Sequence, residues 1–273
     1  MSNRQSQVIG LKVKSKRMPK WLANGLADVF NYILGFTRIN KLYNRLPTQN
    51  PTKLSGAVLK EMNIDLKVTG EELSSIPTEG PLIVVANHPY GLIDGFIVDS
   101  LLIKIRSDVF LMGYYALGDF PEASKRIILV DPLRKRQRHA LNINGWARSF
   151  KVVSSGGALI VFPAGAVSHF QWQKKAVCDS NWNPHVARLA RKYRATVLPI
   201  YIHGRNGFFL QISGLISKKL QTLLIFKQFP KMRNRKLEVT LGKTLSADTW
   251  SDMKDDKDLI QYFRQKVEAL GRK

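Results

Sequence analysis

The sequence predicts an α/β fold in which helices flank a mostly parallel central sheet. The main strands are predicted from short apolar runs, at 81–86, 109–112, 127–131, 158–162 and 196–202. Segments with apolar residues at helical spacing separate several of these runs, and such alternation is typical of parallel strands joined by helices. The chain has 273 residues, of which 44% are hydrophobic, so it is long enough and apolar enough to build a core.

The N-terminal part of the chain is predicted to be an extension of this domain. Residues 1–20 are polar and basic, which favours a solvated tail. Residues 21–43 predict an amphipathic helix, whose apolar face either dips among lipid headgroups or packs on the protein's own core. Residues 45–56 contain prolines and polar residues typical of a linker. We therefore expect a membrane-associating extension over 1–60 and the main domain over 61–273.

Most later elements follow from periodicity. The predicted elements are strands at 64–70 and 237–241 and helices after Gly95, over 140–154, over 184–193 and over 258–270. Residues 113–126 are mixed and are expected to cover a site at the strand ends. Residues 207–229 are mostly apolar with a few lysines, which favours either a segment lying on lipid or a core helix followed by a strand.

The formal net charge of +23 predicts an anionic partner. The aromatic residues lie mostly in apolar segments and do not alternate with basic residues as in single-strand binders, so we favour an anionic membrane over nucleic acid. The single cysteine cannot form an internal disulfide, and no cysteine and histidine spacing indicates a metal site. No apolar run reaches the roughly 18 residues of a spanning helix, and no secretory signal is visible. These patterns predict a peripheral protein on the cytoplasmic face of a membrane.

The stretch from Asn87 to Gly95 carries the candidate chemistry. It follows a buried strand and opens a helix, and open α/β sheets place reactive groups at the carboxyl ends of their strands. Asp94 is close enough to His88 in sequence to accept a hydrogen bond from one imidazole nitrogen, which would leave the other nitrogen as a base. The alternative is that His88 is a packed or capping residue.

This stretch resembles the first motif of the glycerolipid acyltransferases, the lysophosphatidate acyltransferase-like enzymes. The motif is usually Asn-His, four residues and Asp, whereas five residues separate His88 from Asp94 here. The chain is more similar to the bacterial branch with the pattern Asn-His-Pro-x-Gly-x-x-Asp-Gly, which includes putative hemolysins and lyso-aminolipid acyltransferases. The resemblance implies the acyltransferase fold over roughly residues 65–245, with His88 as general base and Asp94 orienting it. Asn87 and Gly95 belong to the same motif.

The resemblance also implies three further groups of substrate-binding residues. A headgroup-contacting motif is expected near the third strand, where the chain supplies Lys125, Arg126, Arg134 and Arg136; the alternative is a solvated run of charge. Phe162-Pro163-Ala164-Gly165 is similar to the family's Phe-Pro-Glu-Gly motif, which lies beside the catalytic histidine and helps to bind the acyl acceptor. Amides near Gly165 are expected to stabilise an oxyanion. Pro199 resembles the family's last motif, a turn near the acyl channel. His169 and His185 have no acidic partner at motif spacing and are expected to be structural or surface residues.

These features predict an enzyme that transfers a fatty acyl group from a thioester to the hydroxyl of a lysolipid. Ala164 replaces the usual Glu and no Arg follows Gly165, which favours a lyso-aminolipid over an acceptor with a phosphomonoester. The donor is expected to be acyl carrier protein or coenzyme A thioester, with no cofactor or metal. Two alternatives stay open: an acyltransferase for lysophosphatidate or another lysophospholipid, and a non-catalytic basic protein that binds membranes or nucleic acid.

Overall fold

A computed structural model describes residues 8–12, 18–47, 50–131 and 138–272 of the chain. Its centre is a seven-stranded sheet in the order β1-β9-β8-β2-β5-β3-β4. The strands are β1 (Asp65–Gly70), β2 (Leu82–Ala86), β3 (Val109–Tyr114), β4 (Ile127–Val130), β5 (Ala158–Val161), β8 (Thr196–Ile202) and β9 (Lys236–Leu241). All neighbours pair in parallel except β8 and β9, so β1 and β9 run against the other five. The predicted α/β fold with a mostly parallel sheet is confirmed.

Ten α-helices accompany the sheet in the described residues. They are α1 (Lys20–Ile33), α2 (Phe36–Arg45), α3 (Leu54–Glu61), α4 (Leu92–Leu102), α5 (Ala123–Arg126), α6 (His139–Ser154), α7 (His185–Lys192), α8 (Phe208–Ile216), α9 (Lys218–Gln228) and α10 (Asp256–Leu270). A small antiparallel hairpin, β6 (His169–Gln171) and β7 (Ala176–Cys178), lies outside the main sheet. The sequence analysis did not predict this hairpin, because each of its strands is only three residues long.

The sheet separates two hydrophobic cores. Because side chains alternate along a strand, Leu82 and Val84 of β2 face one core while Ile83 and Val85 face the other. Residues of α2, α3 and α4 complete the first core, and residues of α6, α7 and α10 complete the second. All five residues of β2 are buried, as the continuous apolar run predicted for a strand covered on both faces.

The region 21–43 forms two helices rather than one. The alternative of packing on the protein's own core holds for α2, whereas lipid contact of α1 stays a prediction. Gly35, with φ of 84°, breaks the helix, and α2 then packs on the core through Phe36. The outer side of α1 is instead exposed, including Trp21 and Phe30. Residues 45–56 are not entirely a linker, since α3 begins at Leu54.

Residues 207–229 were expected to lie on lipid or to form a core helix and a strand. The predicted strand is wrong, because the region contains two consecutive helices, α8 and α9. Phe226 of α9 is buried and packs on Phe36 of α2, with ring centroids 5.2 Å apart. By contrast, Phe208 and Phe209 at the start of α8 are highly exposed.

Candidate active site

The turn that follows β2 places a histidine against a buried carboxylate. His88 lies in this turn, and Asp94 lies in the first turn of α4. The Nδ1 atom of His88 is 2.9 Å from Oδ2 of Asp94. The Asp94 side chain is fully buried, whereas 19% of the His88 side chain is exposed. The contact expected from the sequence is therefore present, although five residues separate the pair.

The backbone of the turn fixes Asp94 in place. Its Oδ2 atom accepts hydrogen bonds from the amides of Tyr90 and Gly91, each at 2.9 Å, in addition to the contact with His88. Gly91 has φ of 93°, a conformation that residues with a side chain disfavour. This conformation lets the turn, which is one residue longer than in the usual motif, bring the amides of Tyr90 and Gly91 to one oxygen of Asp94. Among the described residues, Oδ1 of Asp94 has no hydrogen-bond partner.

Burial and hydrogen bonding shift the pKa of Asp94 in opposite directions. Burial raises the pKa of the Asp94 carboxyl, while the hydrogen bond and charge of His88 and the two backbone amides lower it. Burial is the largest of these effects, so the pKa of Asp94 lies above its ordinary value of 3.8. Ionisation of Asp94 is therefore most favourable when the imidazole beside it carries a proton.

The turn after β5 supports the other side of the imidazole. The ring of Phe162 stacks on that of His88, with centroids 4.2 Å apart and planes 21° apart. The amide of Ser168 donates to the His88 carbonyl at 2.8 Å. The amide of Gly165 donates to the Phe162 carbonyl at 3.0 Å, so it closes the turn. The amide of Gly165 itself is thus engaged within the turn, and an oxyanion contact from the other amides near it stays a prediction.

A cavity of about 1270 Å³ opens beside His88 at the carboxyl ends of the strands. Its lining has a mainly apolar part near α4, β3 and β4, which includes Gly95, Phe96, Leu111, Leu117 and Ile127. The lining near α6 and α7 is more polar and includes His139, Asn142, Asn181, Asn183, His185 and Arg188. The His88 ring therefore faces a space that is lined by both apolar and polar side chains.

Helix α9 closes part of this cavity. An added Cβ at Gly91 would lie 2.7 Å from a methyl group of Ile225, so α9 packs directly on the His88–Asp94 turn. Gln221 donates to the Val167 carbonyl at 3.2 Å, which joins α9 to the turn after β5. Thr222, Ile225 and Phe226 line the cavity. The sequence analysis did not assign α9 to the site, because an apolar helix gives no indication of which cavity it covers.

Comparison with known proteins identifies the family. The family model described as "Acyltransferase" matches residues 29–228, which is most of the chain. The chain belongs to this acyltransferase family.

Two curated relatives and one solved structure are similar to this acyltransferase. The lyso-glycine lipid O-acyltransferase of Bacteroides thetaiotaomicron is 22% identical, with 95% of each chain covered. The protein of the same name from Phocaeicola vulgatus is 25% identical, with 95% of this chain and 92% of the relative covered. The crystal structure of the 1-acyl-sn-glycerophosphate acyltransferase of Thermotoga maritima is 17% identical over 92% of this chain and 95% of that chain, with a TM-score of 0.47.

The structure brings only some of the predicted substrate-binding residues of the acyltransferase to the cavity. Gly95, Phe162, Pro163 and Gly165 line it together with His88. Asn87 is not among the lining residues; its side-chain amide pairs in both directions with the backbone of Ile202, at 2.9 and 2.7 Å, and so ties β2 to β8.

Pro199 is not in a turn beside the cavity. It lies buried within β8, opposite Val85 of β2, and its carbonyl accepts a hydrogen bond from Gly242. The strand tolerates this proline because the β8–β9 pairing covers only residues 200–202. The prediction of a turn at this position is therefore wrong.

The predicted cationic cluster is divided in the structure. Arg126 points away from the cavity: its guanidinium pairs with Asp99 at 2.7 and 3.3 Å and donates to the carbonyls of Val109 and Pro51. Lys125 is exposed and does not line the cavity. Arg134 and Arg136 lie outside the described residues. Arg126 thus stabilises the packing of α4, and its assignment to the headgroup is corrected.

Two histidines of the acyltransferase, His139 and His185, line the more polar part of the cavity, where the sequence analysis did not predict them. His139 begins α6, and His185, expected to be structural or a surface residue, begins α7 next to Trp146 at 5.3 Å between ring centroids. Neither lies near a recognisable motif, so only the packing of α6 beside α7 reveals them.

The described residues contain no group of three or more His, Cys, Asp or Glu side chains arranged to hold a metal ion. Within the same ranges, no helix combines the length and apolar character needed to cross a bilayer.

Proposed function

We propose that this acyltransferase transfers a fatty acyl group from a thioester to the hydroxyl of a lysolipid, and that lyso-aminolipids are its preferred acceptors. The observation that carries the proposal is the His88–Asp94 pair at 2.9 Å, with the histidine lining a cavity whose walls carry both apolar and polar side chains. A base beside such a cavity suits a long-chain acceptor that has one reactive hydroxyl near its headgroup.

In the proposed mechanism His88 acts as a general base. With its Nδ1–H donated to Asp94, the Nε2 atom removes the proton of the acceptor hydroxyl. The acceptor oxygen attacks the thioester carbonyl carbon, the carbon–sulfur bond breaks, and the imidazolium returns the proton to the leaving thiolate. Asp94 stabilises the imidazolium during this step. No nucleophilic side chain is required, so no acyl-enzyme forms.

The polar end of the cavity supports a lyso-aminolipid acceptor. The lining there combines amide and imidazole side chains with apolar ones such as Trp146, and Arg188, the one Arg or Lys among the described lining residues, already pairs with Asp256 at 3.0 Å. A phosphomonoester carries more charge than these side chains neutralise. Both curated relatives are named lyso-glycine lipid O-acyltransferase, which agrees with a lyso-aminolipid acceptor.

The proposed partners follow from charge and exposure. A net charge of +23 suits an acidic acyl carrier protein or the phosphates of coenzyme A as donor, and an anionic membrane as the source of the acceptor. We propose that α1 lies in the membrane interface, since Trp21, Val29, Phe30 and Ile33 are exposed on it. The protein would then bind the bilayer peripherally.

The test is lipid mass spectrometry of cells that express the wild-type chain or its His88→Ala variant and receive lyso-glycine lipid, lysophosphatidate and a second lysophospholipid. We expect a diacylated glycine lipid only with the wild-type chain. Acylation of the phospholipids alone would favour the lysophospholipid alternative. Identical lipid profiles from two folded proteins would refute the enzymatic proposal and favour a non-catalytic membrane- or nucleic-acid-binding protein.

A further inference from the structure

Asp179, which follows β7, accepts hydrogen bonds from three separate segments of the site. Only 5% of it is exposed. Its Oδ1 atom accepts the amide hydrogen of His88 at 3.3 Å and the hydroxyl hydrogen of Ser168 at 2.5 Å. Its Oδ2 atom accepts the indole hydrogen of Trp182 at 3.1 Å. We call Asp179 and these three donors the Asp179 cluster.

The Asp179 cluster forms a closed ring with the backbone of His88. The amide of Ser168 donates to the carbonyl of His88, while the hydroxyl of Ser168 and the amide of His88 share one oxygen of Asp179. The ring thereby joins the turn after β2 to the turn after β5. Since the second turn begins with Phe162, which stacks on the imidazole, the ring fixes both the backbone and one face of His88.

Asp179 is itself anchored through its backbone carbonyl. Its carbonyl accepts hydrogen bonds from Gln171 at 2.7 Å and from Arg264 at 3.1 Å, and Arg264 also donates to the Ser180 carbonyl at 3.1 Å. Arg264 is buried in α10. Ser180 and Trp182 line the cavity, so the same anchor also positions the cavity wall.

We propose that Asp179 is a positioning residue for the acyl-transfer reaction: it holds the His88 ring against Asp94 and faces it to the cavity without contacting the substrate. This inference rests on the proposed function of His88. Every group around the Asp179 carboxylate is a hydrogen-bond donor, and an ionised carboxylate is an acceptor only. An asparagine of the same size would direct its NH₂ group at one of those donors, which leaves a buried donor unpaired.

The test compares Asp179→Asn with Asp99→Asn, which alters a buried carboxylate that pairs with Arg126 away from the cavity. We expect Asp179→Asn to lower kcat by about 10-fold or more with KM nearly unchanged, because misplacing a catalytic group affects the transition state. Asp99→Asn is expected to reduce stability and leave the kcat of the folded protein unchanged. In NMR spectra, the His88 Nδ1–H resonance, assigned with His88→Ala, is expected to shift or broaden only in Asp179→Asn.

Two outcomes would overturn the proposal: an Asp179→Asn protein with wild-type kcat and an unchanged His88 resonance, or equal losses of kcat in both variants. If Asp179→Asn does not fold, Ser168→Ala removes one donor of the cluster and must change kcat and the His88 resonance in the same direction; no change in either refutes the positioning role. The NMR comparison needs no turnover, so an inactive wild-type protein would refute the proposed function while the positioning of His88 is still measured.

Discussion

At the scale of single residues, the carboxylate of Asp94 has two energetic effects. Its hydrogen bond to His88 supports a base, but its charge is fully buried and Oδ1 lacks a partner among the described residues. Burial raises the pKa of Asp94 above the ordinary carboxyl value of 3.8, with His88 opposing the shift. Asp94 therefore contributes stability below that ordinary value, and the contribution is lost as the pH rises through the raised pKa of the folded state.

The Asp94→Asn variant tests both effects of Asp94: its support of His88 and the cost of burying its charge. The amide keeps an acceptor for Tyr90, Gly91 and His88 but has no charge to stabilise an imidazolium, so we expect kcat to fall by roughly 10²- to 10⁴-fold. As the pH rises above the ordinary carboxyl value of 3.8, the free energy of unfolding of the variant should fall less than that of the wild type. Urea unfolding and initial rates at matched pH measure both effects. An unchanged kcat, or an unaltered pH dependence of stability, would contradict this account.

Gly91 is the residue that allows the longer turn between His88 and Asp94. Its φ of 93° is strained for any side chain, and an added Cβ would lie 2.7 Å from Ile225. We expect Gly91→Ala to lower the free energy of unfolding by about 1–3 kcal/mol. Adding Ile225→Ala to the Gly91→Ala variant should restore only the part of the lost free energy of unfolding that comes from the contact between the new Cβ and Ile225.

Chemical denaturation of Gly91→Ala is best compared with that of Gly56→Ala. Gly56 lies in α3, and an added Cβ there meets nothing within 4 Å. This control should be neutral or more stable than the wild type, because alanine has a higher helix propensity than glycine. Equal stability of both alanine variants would show that the turn does not depend on Gly91.

At the scale of elements, the sequence predicted the buried strands and the long helices well, since their periodicity is a local property. The division of 21–43 into α1 and α2 depends on Gly35, where an added Cβ would lie 3.0 Å from the Phe226 carbonyl of α9. That contact joins segments distant in sequence and is therefore not visible in local periodicity. The hairpin of β6 and β7 is likewise too short to produce a periodic signal.

The proposed membrane contact of α1 can be tested with two matched tryptophans. Trp21 on α1 and Trp172 beside the hairpin are 74% and 72% exposed. We expect Trp21→Ser to weaken binding to vesicles of mixed neutral and anionic lipids by about 10-fold, the value of one buried large apolar side chain. Trp172→Ser should bind like the wild type. Cosedimentation at fixed salt measures both, and the opposite order would assign the membrane contact to the hairpin.

At the scale of the whole molecule, the sheet topology explains how distant motifs meet. β2 lies between β5 and β8, so the turns after β2 and β5 adjoin each other at one edge. The family resemblance predicted this meeting of His88 and Phe162. It did not predict the structural pairing of Arg126 with Asp99 or the place of Asp179, because both depend on contacts between elements that carry no motif.

The net charge of the molecule acts over longer distances than the side chains that line the cavity. The excess of 43 Lys and Arg over 20 Asp and Glu attracts anionic surfaces over about 10 Å at moderate salt. The reaction itself is proposed to depend on His88 and Asp94 beside the cavity. Binding and chemistry should therefore separate when His88 alone is changed.

The initial rate of acyl transfer by purified protein tests the central claim most directly. The wild-type protein and its His88→Gln variant would receive the same acyl thioester and lyso-glycine lipid, with circular dichroism and vesicle binding confirming that both are folded. The account predicts diacylated product from the wild type and a rate lower by roughly 10²- to 10⁴-fold in the variant, with vesicle binding unchanged. A variant whose rate stays within about twofold of the wild type would contradict the role of His88 as the general base.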